Sequence, residues 1–565
     1  MIVGIDLGTT NSLVAVWRDG QPELIPNALG QTLTPSVVAW KEPDSLVIGM
    51  AARDQLATRP EHTAALFKRY MGSEKKVQLG PHEFLPEELS AILLRALKAD
   101  AEAALGVPVH EAIITVPAYF SDAQRKATQR AGQLAGLKVE RLLNEPTAAA
   151  LAYGLHDLTQ ESKFLVFDLG GGTFDVSVLE MFDGVMEVRA SAGDNFLGGE
   201  DFALAIAKWF AHQHGQKWDE LSVADRALLQ HAAERGKRQL SARTTADLSV
   251  TLANGALWNS TLTEQAFETL VEPLMARISV PIRRSLRDAK LRSEDLDRIV
   301  LAGGATRMPL IRRMVARLFG KIPATTIHPD EVVALGAGVQ AGLKARDAAL
   351  RDVVLTDVSP YSLGVEVVER LDAQRVLEGK FLPIIERNTV VPASRVERVY
   401  TAEDHQQAIR VRVFQGESRE VDQNIALGSL EVPVPRLPEG QPLDIRFTYD
   451  INGILEVEAT VVKTGVVKRL VIQHSGTTLT EAQLQARLTE LAALKVHPRE
   501  QSAHQALLTW ANRLYQERLG EEREQVARLL TAFETVLERQ DPRECAEAAR
   551  QVQQALSALD SDGWS

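Results

Sequence analysis

Two glycine-rich segments constrain the fold of this chain more than any other feature. They read Asp6-Leu7-Gly8-Thr9-Thr10-Asn11 and Asp168-Leu169-Gly170-Gly171-Gly172-Thr173, and each lies between two apolar runs. Glycines in a strand–turn–strand let backbone N–H groups approach a phosphate chain, and threonine hydroxyls add further donors. An aspartate at the strand end suits hydrated Mg²⁺. Either segment alone could be an ordinary turn, but the pair predicts a triphosphate held from both sides.

Two weaker signals point the same way. The glycine pair Gly303 and Gly304 follows the apolar run Ile299–Ala302, as expected for a contact with ribose or adenine. In the helical pattern around 234–241, the side chains at i, i+3, i+4 and i+7 share one polar face. Such a face is usually just solvated, and it indicates nucleoside binding only together with the glycine segments. The Walker pattern GxxxxGK[ST] does not occur in the sequence.

Length and pattern predict several domains. A chain of 565 residues is too long for a single hydrophobic core. In residues 1–350, short Val- and Ile-rich runs alternate with helical patterns, which predicts an α/β domain with a largely parallel sheet. Residues 351–358 form an interdomain linker whose centre, Val353-Val354-Leu355, is apolar. Since a flexible tether is normally polar, this composition predicts a segment that docks.

The remainder divides into a β-rich part, 359–475, and a helical part, 476–565. Strict alternation in 408–413 and the pair Asn452-Gly453 predict strands and a hairpin. Thr480 with Gln483 predicts a helix start, and Pro498, Gly520 and Pro542 divide the helical part into short helices. We expect the end of the chain, from Ser557 on, to fray.

Charge and cysteine content narrow the function classes. The chain has 63 basic and 75 acidic residues, a net charge of −12, which disfavours nucleic acid and anionic membranes as partners. Its one cysteine, Cys545, excludes an internal disulfide. The N-terminus lacks a signal-peptide pattern and the sequence lacks a run of about 18 apolar residues. These features predict a cytoplasmic protein.

Several long segments together carry a family resemblance. They are GIDLGTTNSLVAV at 4–16, ITVPAYFSDAQRKAT at 114–128, LLNEPTAAALAYG at 142–154, FDLGGGTFDVSVLE at 167–180, FLGGEDF at 196–202, LAGGATRMP at 301–309 and HPDEVVALGAGVQAG at 328–342. The chain resembles the seventy-kilodalton heat-shock chaperone family, the DnaK type, and within it the shorter HscC-like bacterial branch. The resemblance implies a two-lobed, actin-like α/β ATPase domain, a β-sandwich substrate-binding domain and a short α-helical lid.

The resemblance also implies roles for residues of the ATPase domain. Asp6 and Asp168 would hold Mg²⁺ through water, Lys68 would lie near the γ-phosphate, and Glu145 near the attacking water. The implied catalytic residues are Asp6, Lys68, Glu145, Asp168 and Thr173. The implied nucleotide contacts are Gly8, Thr9, Thr10, Asn11, Gly170, Gly171, Gly172, Gly198, Gly199, Glu200, Glu234, Lys237, Arg238, Ser241, Gly303, Gly304, Arg307 and Asp330.

Two further groups follow from the resemblance. Pro117 and Arg125 match a relay that senses nucleotide and signals to the linker, whose implied allosteric residues are Asp352, Val353, Val354, Leu355 and Asp357. The implied peptide-binding residues are Val365, Leu377, Val399, Ala402, Ile409 and Val411. Each of these six could equally be a core residue of the sandwich.

The implied function is that of an ATP-dependent molecular chaperone, in which ATP hydrolysis controls peptide affinity through the linker. The implied cofactors are ATP or ADP and Mg²⁺, with K⁺ as a further candidate. The implied partners are unfolded or specific client polypeptides and a J-domain co-chaperone, and dependence on an exchange factor is left open. Two alternatives are an actin-fold small-molecule kinase and an ATP-dependent filament protein. The match beyond residue 357 disfavours both.

Overall fold

The structure is a computed structural model. It describes residues 1–41, 45–139, 141–154, 161–182, 185–324, 326–347, Leu350, 354–370, 376–450, 453–473, Lys495 and 497–561. The predicted hairpin residue Asn452, the predicted helix start at Thr480 and Gln483, and the linker residues Asp352 and Val353 lie outside these ranges. The chain divides into two compact units, Met1–Pro360 and a second unit with Tyr361–Ile472 and the C-terminal helices.

The first unit alternates strands and helices. Its strands are β1 (Ile2–Asp6), β2 (Asn11–Arg18), β3 (Gln21–Ile25), β4 (Thr34–Pro35), β5 (Val37–Lys41), β6 (Ser45–Ile48), β7 (Thr63–Ala65), β8 (Val77–Leu79), β9 (His82–Phe84), β10 (Glu111–Val116), β11 (Leu142–Asn144), β12 (Ser162–Leu169), β13 (Phe174–Phe182), β14 (Val185–Asp194), β15 (Thr245–Thr251), β16 (Leu257–Thr263), β17 (Arg298–Ala302) and β18 (Val354–Val358). Its helices are α1 (Met50–Arg53), α2 (Pro86–Leu105), α3 (Asp122–Leu134), α4 (Glu145–Gly154), α5 (Gly199–Gln213), α6 (Val223–Gln239), α7 (Glu264–Leu270), α8 (Glu272–Asp288), α9 (Pro309–Phe319) and α10 (Val332–Lys344).

Two similar mixed sheets form the frame of this unit. One has the strand order β11-β10-β1-β2-β3, and the other contains the order β17-β12-β13-β14-β18. In each, the strand before a glycine segment pairs in parallel on one side and antiparallel with the strand after it: β1 with β10 and β2, and β12 with β17 and β13. The expectation of a largely parallel sheet is therefore corrected, because each glycine turn closes an antiparallel hairpin.

Apolar side chains from strands and covering helices form a separate core against each sheet. Val3, Ile5 and Leu89 are fully buried in the first core, and Leu165, Phe202 and Ile278 are fully buried in the second. The Val- and Ile-rich runs therefore occur because both faces of these strands pack against helices. Two such cores leave the strand ends that carry the glycine segments facing a cleft.

The second unit has two sheets with a common core. Its strands are β19 (Leu363–Arg370), β20 (Val376–Ile385), β21 (Val390–Val391), β22 (Ala393–Tyr400), β23 (Ala408–Gln415), β24 (Ile425–Pro433), β25 (Pro442–Tyr449), β26 (Ile454–Val461) and β27 (Val467–Gln473). One sheet has the order β20-β19-β23-β24 and the other the order β22-β25-β26-β27. The alternation predicted in 408–413 places Val411 and Val413 in the core and Arg410 and Arg412 on the surface.

In the described C-terminal residues 497–561, three helices follow the strands of the second unit. They are α11 (Ser502–Glu517), α12 (Gly520–Arg539) and α13 (Pro542–Ser561), and a short 3₁₀ helix, Pro498–Glu500, precedes them. They pack around Leu514, Phe533, Leu537 and Leu556. Helices α12 and α13 start at the predicted breaks Gly520 and Pro542, whereas α11 starts at Ser502, after the 3₁₀ helix that begins at the predicted break Pro498. Helix α13 extends five residues, from Ser557 to Ser561, into the segment expected to fray. Among the helices of the described residues, none is long and apolar enough to cross a membrane.

Candidate functional site

A cavity of about 480 Å³ lies in the first unit, where the two glycine turns face each other. The sequence-predicted residues that line it are Asp6, Gly8, Thr9, Thr10, Asn11, Lys68, Glu145, Asp168, Gly170, Gly171, Thr173, Gly199, Glu200, Glu234, Lys237, Arg238, Ser241, Gly303, Gly304, Arg307 and Asp330. These residues come from widely separated parts of the sequence. The fold thus brings the predicted phosphate, metal and nucleoside residues to one cavity.

The two turns are built alike but closed differently. In the first, the Gly8 N–H donates to Ser12 Oγ at 3.1 Å, and in the second the Gly170 N–H donates to the Thr173 carbonyl oxygen at 3.1 Å. The turns come so close that a Cβ added to Gly171 would lie 1.8 Å from Thr10 Oγ1. The Thr10 hydroxyl is buried and has no hydrogen-bond partner in the structure. A buried unpaired donor at a cavity wall fits a phosphate oxygen.

Gly172 and Gly198 lie behind the cavity rather than on its wall. A Cβ on Gly198 would lie 2.5 Å from the backbone of Gly171, and a Cβ on Gly172 would lie 2.6 Å from Thr9 Cγ2. These glycines let the two turns and the start of α5 approach one another closely. Gly172 and Gly198 therefore act on the shape of the cavity through packing.

A cluster of carboxylates lies at the floor of the cavity. Burial, followed by the negative charge of Glu145, raises the pKa of Asp6 and of Asp168. The same two causes raise the pKa of Asp175 to about 7, although the Tyr119 N–H donates to its Oδ1 at 3.1 Å. Thr115 Oγ1 donates to Asp6 Oδ1 at 2.9 Å. Such mutual repulsion favours a cation beside the cluster.

The carboxylates fit a hydrated magnesium ion better than a metal held by side chains alone. Within the described ranges, no group of three or more His, Cys, Asp or Glu side chains is arranged to hold a metal ion. Mg²⁺ usually keeps several waters and takes one or two carboxylates together with phosphate oxygens. Asp6 and Asp168 at the ends of β1 and β12, beside the unpaired Thr10 hydroxyl, suit that kind of coordination.

Lys68 and Glu145 form a buried ion pair at the cavity wall. Lys68 Nζ lies 2.6 Å from Glu145 Oε1, and their side chains are only 3% and 9% exposed. Lys68 lies on a short 3₁₀ helix, Phe67–Tyr70, and Glu145 is the first residue of α4. A buried charge needs a partner, so each residue fixes the position of the other. The pair places an ammonium and a carboxylate at the same end of the cavity.

The opposite end of the cavity carries the predicted nucleoside residues. Lys237 Nζ donates to the Gly199 carbonyl oxygen at 2.8 Å and lies 2.6 Å from Glu234 Oε2. Arg238 pairs with the other oxygen of Glu234 at 2.8 Å. Helix α6 thus presents a ladder of linked polar groups, as the spacing of the sequence predicts, whereas Ser241 lies just beyond the end of the helix.

The glycine pair Gly303 and Gly304 also lines the cavity, together with Arg307 and Asp330. Arg307 lies 3.2 Å from Asp330, and a Cβ on Gly304 would lie 2.5 Å from Asp330 Oδ1. Gly303 has φ of 80°, and a Cβ there would meet the Leu169 carbonyl oxygen at 2.4 Å. Only glycine satisfies both requirements at position 303.

Sequence reasoning missed several residues of the site. Arg69 Nε donates to the Gly172 carbonyl oxygen at 3.0 Å, and its guanidinium pairs with Asp201, whose Oδ2 also accepts the Gly198 N–H at 2.8 Å. Arg69 therefore ties the second turn to the start of α5. The signal was its position next to Lys68. The cavity is also lined by Gln31, Leu33, Met50 and Arg53, which lie in segments without a recognisable motif.

The predicted relay and linker residues are connected by hydrogen bonds. Arg125 donates to the carbonyl oxygens of Ala118 and Phe120 and, at 2.6 Å, to Asn144 Oδ1. Asn144 Nδ2 then donates to Asp357 Oδ2 at 2.8 Å. Asp357 belongs to β18, which pairs in parallel with β14 through Val354, Leu355 and Thr356. In this structure the described part of the linker is a strand of the second sheet.

The predicted peptide-binding residues are spread over different environments in the second unit. Val365 and Val411 are buried in the core, and Val399 and Ile409 pack partly buried against it. Leu377 is half-buried on β20, and Ala402 is exposed after β22. Four of the six side chains therefore belong to or pack against one apolar core, whereas Leu377 and Ala402 lie outside it.

The geometry of the first unit defines a class of protein. Two phosphate-type turns, a carboxylate cluster and a buried lysine–glutamate pair around one cavity suit a protein that binds and hydrolyses a nucleoside triphosphate. The sequence profile of the family described as Hsp70 protein matches residues 2–79 and 74–563. The match therefore extends over both units.

Comparison with curated proteins gives the same result. The chain is 44% identical over 489 residues to proteins named chaperone protein DnaK from Thermotoga neapolitana, Thermotoga petrophila and Thermotoga maritima; each alignment covers 83% of this chain and 80% of the relative. The chain belongs to the Hsp70 family. It is an ATP-dependent molecular chaperone and an ATPase, and its family binds nucleotide with Mg²⁺.

Proposed function

We propose that the cavity of the first unit hydrolyses ATP and that the change of nucleotide state is transmitted through β18 to a peptide-binding second unit. In this proposal the first unit is the two-lobed, actin-like ATPase domain, and the second is a β-sandwich with a helical lid. The boundary lies within 351–358. The single observation that carries the coupling is the 2.8 Å hydrogen bond from Asn144 to Asp357, because Asn144 directly precedes Glu145.

The phosphates are held by backbone N–H groups and hydroxyls of the two turns. Thr9, Thr10 and Thr173 would supply hydroxyl donors, and Gly171 lies so close to Thr10 that a Cβ would not fit there. Asp6 and Asp168 would hold Mg²⁺ through water. When bound, the ion would neutralise charge on the phosphate oxygens.

Hydrolysis needs positioning more than covalent chemistry. The Lys68 ammonium, held by Glu145 at 2.6 Å, would stabilise the negative charge on the γ-phosphate. Glu145 would orient a water whose oxygen attacks phosphorus while the bond to the ADP oxygen breaks. Nucleoside specificity would come from Glu234, Lys237 and Arg238 on one wall. The wall beside them has the Arg307–Asp330 pair and Gly303.

The coupling follows from the position of Asn144. A change at Glu145 on ATP binding or hydrolysis moves the adjacent Asn144, and Asn144 is bonded both to Arg125 and to Asp357. Pro117 precedes the segment whose carbonyl oxygens Arg125 binds. Nucleotide state would thereby shift β18 between paired and released states. A complete switch between two such states needs about 5.5 kcal/mol of differential binding.

The remaining assignments rest on the family. The second unit would bind extended apolar segments of unfolded or specific clients, with Ala402 and Leu377 as the accessible members of the predicted set. A J-domain co-chaperone would accelerate hydrolysis, and the protein would act in the cytoplasm. Assignment to the HscC-like branch, use of K⁺ and dependence on an exchange factor belong to the same proposal. Membership of the Hsp70 family disfavours the kinase and filament alternatives.

The test is the dissociation rate of a fluorescent apolar peptide from the full-length protein in ATP and in ADP. Much faster release in ATP supports coupling, and Lys68→Ala should release peptide in ATP but fail to re-trap it. Asp357→Asn should reduce the difference between the two nucleotides. Equal rates in ATP and ADP for the unaltered protein would contradict the proposed coupling.

A further inference from the structure

The outer edge of β22 is covered by a turn from the helical region. In the sheet order β22-β25-β26-β27, β22 is the end strand, and all its residues pair with β25 on one side. An end strand presents unpaired backbone N–H and C=O groups along its other side. At Val396 these outward groups are bonded, and the partner is a single side chain.

That side chain is Gln540, which lies between α12 and α13. Gln540 Nε2 donates to the Val396 carbonyl oxygen at 2.9 Å, and the Val396 N–H donates to Gln540 Oε1 at 3.2 Å. A carboxamide carries the same donor and acceptor as a peptide group. Gln540 therefore makes on Val396 the pair of hydrogen bonds that one residue of an added antiparallel strand would make.

The turn is held in an unfavourable conformation to make this contact. Gln540 has φ of 54° and is only 8% exposed. A non-glycine residue in the left-handed region is uncommon, and it persists where the surroundings over-determine it. Asp541 Oδ1 accepts the N–H groups of Arg543 and Glu544 at 2.9 and 3.0 Å, which begins α13 directly after the turn.

Charged groups flank the contact on both β22 and the turn. The Arg395 guanidinium donates to the Arg539 carbonyl oxygen and lies 3.7 Å from Asp541. Glu397 follows on β22, where burial raises its pKa, Arg395 opposes that shift and Glu538 adds to it. One arginine thus attracts the turn, while two carboxylates, Glu397 and Glu538, lie near each other across it. The attraction by Arg395 is therefore opposed by the repulsion between the two carboxylates.

We propose that the turn Arg539-Gln540-Asp541 is an intramolecular cap on the edge of β22, and that it competes with the backbone of an extended polypeptide for Val396. The inference rests on the proposed peptide binding by the second unit. Strand alternation directs the backbone groups of Ser394 and Arg398 to the same edge, so an extended chain could pair with two or three residues in succession. Val396 cannot bond both occupants at once.

The cap gives the helical region a direct effect on peptide association. An arriving peptide gains backbone hydrogen bonds on β22 only after Gln540 has left. The exposed residues Arg398 and Tyr400 continue the strand towards Ala402, one of the two accessible members of the predicted peptide-binding set. Opening of the turn therefore precedes, or is driven by, addition of the peptide strand.

Two variants of Gln540 test the cap without breaking the fold. Gln540→Glu keeps the shape but loses the donor to Val396 and adds a negative charge near Glu397 and Glu538. Gln540→Gly removes the side chain and tolerates the positive φ. The control is Gln554→Glu, the same change at an exposed position of α13.

The measurements on the full-length protein are amide hydrogen exchange of 393–400 without peptide and the association rate of a fluorescent extended peptide with a central leucine. One hydrogen bond changes an equilibrium by roughly fivefold, so losing both should raise exchange and association by on the order of tenfold or more. Gln540→Gly loses both bonds and should show this full effect, Gln540→Glu loses one bond and should show a rise of about fivefold, and Gln554→Glu should show neither.

Unchanged exchange in both Gln540 variants would overturn the cap. Faster exchange with unchanged peptide association would overturn the competition, because β22 would then not be used by the peptide. Failure of every protein, including the unaltered one, to bind the peptide would instead refute the proposed peptide binding and the competition with it. The exchange data separate these cases, since they report on the turn without any ligand.

Discussion

The cavity of the first unit and the β-rich part of the second unit show two different relations between sequence and site. In the cavity, function lies in contiguous motifs whose residues all turn to one place, such as Thr9 and Thr10 or Gly170 and Gly171. Along β23, the residues from Arg410 to Val413 alternate between surface and core. A motif at a strand end can be recognised as a unit, whereas a site along a strand is interleaved with packing residues.

The largest effect is expected at the buried ion pair. Lys68→Ala should lower the rate of ATP hydrolysis by about 10²–10³-fold, because one preorganised charge near the developing negative charge is lost. Single-turnover hydrolysis measures this, with ATP affinity measured separately. Lys76→Ala is the control, since that side chain is 63% exposed. Hydrolysis within a few-fold of the unaltered protein would reduce Lys68 to a structural role.

The same substitution leaves Glu145 buried without its partner, which destabilises a protein in its own right. The double variant Lys68→Ala with Glu145→Gln should recover stability but not hydrolysis. Thermal unfolding alongside the hydrolysis assay distinguishes the two consequences. Recovery of hydrolysis in the double variant would contradict the assigned roles.

The next effect concerns the approach of the two turns. Gly171→Ala should weaken ATP binding by about 10–100-fold, because its Cβ would lie 1.8 Å from Thr10 Oγ1 and would force the turns apart. Titration with a fluorescent nucleotide checks this. Gly215→Ala, where no atom lies within 4 Å of the added Cβ, should leave affinity unchanged. Equal affinities of the two variants would show that the turns separate without consequence.

In the second unit, the alternation of surface and core residues along β23 predicts an effect on the free energy of unfolding. Val411→Ala should lower the free energy of unfolding by about 2 kcal/mol, since the Val411 side chain is 2% exposed in the core. Arg410→Ala, on the surface of the same strand, should change it by no more than about 0.5 kcal/mol. Denaturant unfolding followed by peptide titration makes the comparison. A large loss of peptide affinity at unchanged stability would place Val411 in a binding pocket instead.

A smaller effect is expected at the hydrogen bond from Asn144 to Asp357. Asp357→Asn and Asn144→Ala should each reduce the acceleration of peptide release by ATP by roughly tenfold, as expected for a hydrogen bond to a charged group. The double variant should be no worse than Asn144→Ala alone, since that change already removes the bond to Asp357 together with the bond from Arg125. Stopped-flow peptide release measures all three. Additive effects would mean that the bond between Asn144 and Asp357 does not carry the signal.

The smallest effect should be seen at the one cysteine. Burial, followed by the charge of Asp541, raises the pKa of the Cys545 thiol to about 11. Because the raised pKa keeps the thiol protonated well above neutral pH, little reactive thiolate forms at pH 8. A thiol reagent should therefore react slowly with the folded protein and rapidly after denaturation. Fast reaction of the folded protein would show that the helices around Cys545 open readily.

Much of the first unit could be predicted because its chemistry is local. Strands such as β1 and β12 follow from short apolar runs that end in a glycine turn, and the carboxylates at their ends were recognised with them. The mixed direction of the sheets was not predicted, since apolar runs carry no information about pairing direction. Arg69 and Asp201 were missed because their partners, Gly172 and Gly198, are far away in sequence.

The sequence by itself determined the family, the alternation of strands and helices, and the residue types that approach phosphate, because glycine, threonine and aspartate have these properties wherever they occur. The tertiary structure alone decided which residues meet. It paired Lys68 with Glu145, joined Asn144 to Asp357, and placed Gln540 on Val396. The physical reason is that a hydrogen bond or an ion pair acts over a few ångströms in space, and only folding brings distant parts of a chain within that range.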